Sequence, residues 1–132
     1  MLRYMLDTNM CIRTMRAKAT DAIAGRFNRH GKQLCISSII LAELHFGAQN
    51  SQRVSDNLDE IELYVGRLAG VLHFDPEAAA TYGRVRTELR KTPIGPLDTL
   101  IASHALSRNL IVVTSNTREF GRVPGLQVED WT

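Results

Sequence analysis

Residues 4–12 read Tyr-Met-Leu-Asp-Thr-Asn-Met-Cys-Ile, and this stretch decides the fold. Tyr4-Met5-Leu6 is a short apolar run of the kind that forms a strand buried on both faces, as strands of parallel sheets are. It ends on a carboxylate, Asp7, and two short polar residues, Thr8 and Asn9, before apolar residues resume. A carboxylate at the end of a buried strand has lost hydration and needs a partner.

Outward from this stretch, similar β-favouring runs occur at Arg3–Leu6, Leu34–Ser37, Val71–Phe74 and Leu110–Thr114, with a weaker one at Leu126–Val128. Helical patterns fill the intervals. Strands alternating with helices of this length imply right-handed crossovers, so the expected fold is α/β, an α/β/α sandwich. Its central, mostly parallel sheet would have four to five strands flanked by helices. Ser37-Ser38 can cap a helix carrying Ile40, Leu41 and Leu44, and Asp75-Pro76-Glu77 starts another that runs to about Lys91. Asn57 to Leu68 reads as a further helix. Thr92 to Asp98, TPIGPLD, supplies two prolines and a glycine as a tight loop, and places Asp98 in the first turn of the next helix.

At 132 residues, with 44% hydrophobic and 23% charged residues, the chain reads as one domain over residues 1–132. No apolar run approaches the roughly 20 residues that cross a bilayer, so a soluble, cytoplasmic protein with no membrane partner is expected. Two cysteines, Cys11 and Cys35, without C-x-x-C spacing, read as buried reduced thiols. Thirteen of the sixteen basic residues are arginines. They concentrate toward the two ends of the chain, while acids dominate Asp56 to Glu77. That suits a polyanion partner, although an arginine-rich composition alone reads equally well.

Three acids have apolar neighbours: Asp7 after YML, Glu43 inside IILAEL and Asp98 opening LDTLIA. In an open parallel sheet, strand carboxyl ends form the ligand crevice, and all three belong there or close by. Two carboxylates about 4 Å apart repel by about 4 kcal/mol at an effective dielectric near 20. A divalent cation relieves that repulsion, and an all-oxygen donor set points to Mg²⁺ or Mn²⁺ in preference to Zn²⁺. Such an ion activates water and neutralises a scissile phosphate, so the pattern predicts a metal-dependent phosphodiesterase. A phosphoacceptor receiver domain would need a lysine after a late strand, and VVTSN offers none. A haloacid-dehalogenase-type hydrolase would need an acid where Asn9 stands.

YMLDTNMCI, CISSIILAELHFGAQNS, TPIGPLDTLIASHAL and LIVVTSNTREFGRVPGLQVEDW together resemble the PIN-domain ribonuclease toxins of the VapC type, over nearly the whole chain. The resemblance implies a PIN-like fold and a Mg²⁺-dependent endoribonuclease in which Mn²⁺ can substitute. It implies an RNA substrate, often structured RNA such as tRNA, and a type II toxin–antitoxin system. Asp7, Glu43 and Asp98 match the metal-binding catalytic acids. The fourth acidic position falls at Asn116, which brings no charge, with Glu119 three residues on as a possible fourth acid. A cognate VapB-type antitoxin, a homodimer and a larger toxin–antitoxin complex are also implied. The alternative is a catalytically silent PIN fold that acts only by antitoxin binding and operon autoregulation.

Thr8 and Asn9 are expected either to hydrogen-bond Asp7 or to cap the helix after it, and Thr114 and Ser38 to steady the acids. An RNA-binding rim would be drawn from Arg13, Arg86, Arg90 and Arg118, together with Arg16, Arg84 and Arg108. The four histidines lack ligand spacing, and His104 reads as packed or peripheral. Met1, Met5, Met10 and Met15 read as core filler, and Trp131 as a packing anchor.

Overall fold

The N-terminal apolar run becomes the middle strand of a five-stranded sheet in a computed structural model that describes all 132 residues. Strands β1 (Tyr4–Leu6), β2 (Leu34–Ser37), β3 (Gly70–Leu72), β4 (Ile111–Val113) and β5 (Val128–Glu129) lie in the order β3-β2-β1-β4-β5. Every pairing is parallel. Met5, flanked by Cys35 and Val112 in register, is fully buried with both of them.

Helices α1 (Thr8–Arg16), α2 (Ala22–Arg29), α3 (Ser38–Gln49) and α4 (Val54–Gly66) connect β1 through β2 to β3. Helices α5 (Pro76–Glu88) and α6 (Pro96–Ser107) carry the chain back across the sheet to β4, and α7 (Thr117–Phe120) leads on to β5. Right-handed crossovers that leave β1 in opposite directions put α1–α4 on one face and α5–α7 on the other. The gap between β1 and β4 is the point where the winding reverses. In such sheets, the crevice over the strand carboxyl ends opens there.

The sandwich expected from the sequence is therefore present, with all five strands parallel. The differences are at boundaries. The strand read at Val71–Phe74 is Gly70–Leu72, the helix read from Asn57 starts at Val54, and α5 stops at Glu88 before Lys91. Met5 and Met10 are core residues, but Met1 is fully exposed ahead of β1. Cys11 and Cys35 are free and buried, with burial pushing each thiol up to about 12. Trp131 is a buried anchor, edge-on to Tyr4 with ring centroids 5.1 Å apart. His104 is fully buried on α6 and pairs with the Ser37 hydroxyl at 2.8 Å. That bond ties α6 to the N-cap of α3 and leaves His104 no part in open chemistry. No helix is long and apolar enough to cross a membrane.

Candidate active site at the carboxyl edge of the sheet

Asp7 leaves β1 and caps α1 with its own side chain, Oδ1 accepting from the Met10 amide at 2.9 Å. Its other oxygen accepts from the hydroxyl of Thr114, the residue that leaves the adjacent strand β4. With 6% of its surface exposed, Asp7 is desolvated, and burial raises its pKa against the pull of those two hydrogen bonds. Thr114 also accepts the backbone N–H of Asn116 at 2.9 Å, so one hydroxyl links the first acid to the next loop.

Asn116 then joins two more acids. Its amide nitrogen donates to Asp98 Oδ2 at 3.2 Å and to Glu119 Oε2 at 2.7 Å. Asp98 stands in the first turn of α6, where Pro96 presets the helical backbone. Burial and the neighbouring charges of Glu119 and Asp7 push the Asp98 carboxyl up to about 6. Glu43 comes from the middle of α3 and lines, with Asp7, Thr8, Asn9 and Asp98, a small cavity of about 50 Å³. It also faces the larger groove between α1, α3 and α4.

The three acids read from the sequence are thus brought to one cavity from three separate elements. They do not close around a single point, since no three carboxylate, imidazole or thiol groups meet in that way. Asn116 stands between Asp98 and Glu119 instead. The donor set is nonetheless all oxygen, and a carboxyl raised to about 6 by burial and like charge is the signature of anions that a cation would relieve. These residues fit a hard divalent ion.

Several supporting roles differ from expectation. Thr8 and Asn9 neither bond Asp7 nor cap α1; they are its first residues, and Asp7 is the cap. Ser38 accepts from the Phe74 amide at 3.2 Å, which secures the exit of β3 and does not steady an acid. Arg108 follows α6 and precedes β4, about 15 Å along the helix from Asp98 at 1.5 Å per residue, so it does not rim the site. Arg86 does sit close, lining a cavity with Pro93, Pro96 and Thr99 of the segment that carries Asp98. Arg90 is anchored to the Thr87 carbonyl at 2.9 Å, Arg118 is exposed beside Glu119 on α7, and Arg13 is exposed on α1. Asp130, which follows β5, does not stand out in the sequence, yet its charge raises Asp7, and its own carboxyl is lowered by hydrogen bonds from Thr132 and, to a lesser degree, by the charge of Arg13. Only its place after the weak strand at Leu126–Val128 signals it.

Carboxylates from the end of β1, from α3 and from α6, gathered at the reversal point of a short parallel sheet, define the class, and the PIN domain model matches residues 4–126. The chain belongs to the PIN-domain family. It is 49% identical to the tRNA(fMet)-specific endonuclease VapC of Salmonella typhimurium, with 99% of each chain covered. It is 42% identical to the ribonuclease VapC2 of Haemophilus influenzae over the same share of both. Its backbone matches the crystal structure of DNA-bound VapBC from Salmonella typhimurium with a TM-score of 0.93 at 48% identity, covering all of both chains. Within the PIN domains, it is of the VapC ribonuclease-toxin type.

Proposed function

We propose that this chain is a Mg²⁺-dependent endoribonuclease, with Mn²⁺ able to substitute, that hydrolyses phosphodiester bonds of structured RNA. The observation that carries this reading is the joining of Asp7, Glu43 and Asp98 in one cavity, with Asp98 raised to about 6. Asp7, Asp98 and Glu43 would hold the ion, with Asn116 and Glu119 beside Asp98. The chemistry such an ion supplies is neutralisation of charge at a scissile phosphate and a lowered pKa for water. The protein's own groups do the positioning. Met10 and Thr114 fix the orientation of the Asp7 carboxylate, and Asn116 holds Asp98 against Glu119. A bound cation would hold Asp98 as the carboxylate and offset the burial and like charge that raise it otherwise. Arg13, Arg86, Arg90 and Arg118 would contact substrate phosphates around this edge.

The 49% identity to a tRNA(fMet)-specific endonuclease makes tRNA(fMet) the first substrate to test. Likeness to a VapBC complex supports a VapB-type antitoxin as partner, and within that assembly we propose a homodimer of this chain. The test uses purified protein freed of antitoxin, with tRNA(fMet) and total RNA, in Mg²⁺, Mn²⁺ or chelator, beside Asp7→Asn and Asp98→Asn. Discrete cleavage that requires metal and disappears in both variants is expected. Cleavage that persists in chelator or in Asp98→Asn would overturn the site. Absence of cleavage of any RNA would favour a binding-only role.

A further inference from the structure

The opposite edge of the sheet has a different chemistry. All five strands are parallel, so every chain segment entering a strand lies on the edge away from the carboxylates. Those segments are residues 1–3, 28–33, 66–69, 107–110 and 124–127, and none contains an aspartate or glutamate. They carry Arg3, Arg29, Lys32, Arg67 and Arg108, all five exposed. None of these cations lies within 4.0 Å of a carboxylate; the three ion pairs of the chain are Arg26–Glu129, Arg53–Asp56 and Arg84–Glu88.

The backbone puts four of them in a row. Arg3 donates from its amide to the Gln33 carbonyl at 2.9 Å, and its own carbonyl accepts from Ile111 at 2.9 Å. Ala69 donates to Leu34 at 2.8 Å. Across β3-β2-β1-β4, the order is therefore Arg67, Lys32, Arg3, Arg108, one cation near the mouth of each strand. Strands stand about 4.8 Å apart, so the row extends over roughly 14 Å. Beside it, a groove of about 510 Å³ is lined by Arg29, His30, Lys32 and Arg67. Arg67 is partly fixed already, with its guanidinium 4.7 Å from the Phe27 ring centroid and bonded to Asn28 Oδ1 at 3.1 Å.

We infer that this basic edge is a second binding surface, which holds the phosphate backbone of the folded RNA away from the scissile bond. The argument is electrostatic and geometric. An edge with several unpaired cations and no acid attracts a polyanion, and a linear row suits consecutive phosphates. The carboxyl edge mixes its arginines with acids that repel phosphate, so an acid-free row of cations would add binding free energy without adding repulsion. The choice of RNA rests on the nuclease reading, but the binding does not require turnover. A competing account is that these cations only offset the negative carboxyl ends of α2, α4 and α6, which meet this edge.

The two accounts separate in one experiment. The full chain and a variant with Arg3→Gln, Lys32→Gln, Arg67→Gln and Arg108→Gln are titrated with tRNA(fMet) and with a DNA duplex. Chelator is present, the salt is varied from about 50 to 200 mM, and thermal melting is measured alongside. The salt slope of log affinity for tRNA should fall by about 3 to 4, near one unit for each phosphate no longer neutralised, and affinity at low salt by at least ~10-fold. In a cleavage assay with metal, KM should rise while kcat at saturating RNA stays within about twofold. Weaker binding of both tRNA and duplex supports the inference, since backbone contacts do not read the sugar. Unchanged tRNA affinity and slope, with a lowered melting temperature, would assign the row to the helix ends and overturn it. Weaker binding of duplex alone, or no RNA binding by the unaltered chain, would overturn it too. Because binding is read in chelator, failure of cleavage alone leaves this inference standing.

Discussion

The two edges of one sheet differ in sign, in burial and in how their charges are held. At the carboxyl edge, Asp7 is 6% exposed and tied down by a backbone amide and a buried hydroxyl, and Asp98 shares Asn116 with Glu119. At the amino edge, the cations are exposed and have no carboxylate partners. Burial makes a charge chemically active by shifting its pKa, whereas exposure leaves it available for long-range attraction. The first arrangement costs stability and the second costs almost none, so substitutions at the two edges should have opposite consequences.

The largest expected effect is Asp7→Asn. It keeps the shape of the side chain while removing the charge, and cleavage should fall by ~10³-fold, the scale of losing one preorganised electrostatic group. Stability should be unchanged or raised, because the charge removed was one that burial disfavours. Activity assays paired with thermal melts check both; a large drop in melting temperature would mean that Asp7 is chiefly a helix cap. Thr114→Val comes next. It leaves Asp7 Oδ2 and the Asn116 amide without their shared partner, and activity should drop about 10- to 100-fold. Denaturant titration should show a loss of about 1–3 kcal/mol, the cost of stranding buried polar groups.

Gly121→Ala examines the turn behind Glu119. An added Cβ would stand 2.7 Å from the Thr117 carbonyl, so the end of α7 must shift. A loss of about 1–3 kcal/mol is expected by denaturant titration, as for other overpacked positions. Smaller again is a pH effect. The Asp98 carboxyl is raised from 3.8 to about 6, so the folded state keeps its proton to higher pH than the unfolded chain does. This contribution is full below about pH 3.8 and is lost as pH rises through 6. Stability should fall across that window by on the order of 1–2 kcal/mol after allowance for solvent screening, and Asp98→Asn should flatten the fall. Melting curves between pH 4 and 6.5 read it. The smallest is Lys32→Gln alone at the amino edge, where stability should stay within about 0.5 kcal/mol.

How much of this was legible in the sequence depends on the interaction. YML, LCIS and LIVV announce strands because full burial requires continuous apolar runs, and Asp75-Pro76 announces α5 because capping is local. Asp7, Glu43 and Asp98 stood out because each acid interrupts an apolar context. By contrast, of the two residues expected to steady the acids, Thr114 does so, meeting Asp7 across 107 residues of chain, and Ser38 does not, while Asn116 clasping Asp98 spans 18. No local pattern fixes which of several short polar residues will meet a given acid. Arg108 was misplaced for the same reason: its composition suited a rim, while its position after α6 put it on the other edge.

The sequence by itself determined the α/β alternation, the core runs, the identity of the three acids and the family to which they belong. The first three follow from short-range periodicity and from residue type in its immediate context, and the family from the resemblance of motifs in order along nearly the whole chain. Only the tertiary structure decided that β1 lies between β2 and β4, that Asp130 joins the surroundings of Asp7, and that the acids gather on one edge while unpaired cations line the other. Strand order and edge are properties of long-range packing, and residues distant in the chain acquire their neighbours only when the sheet forms.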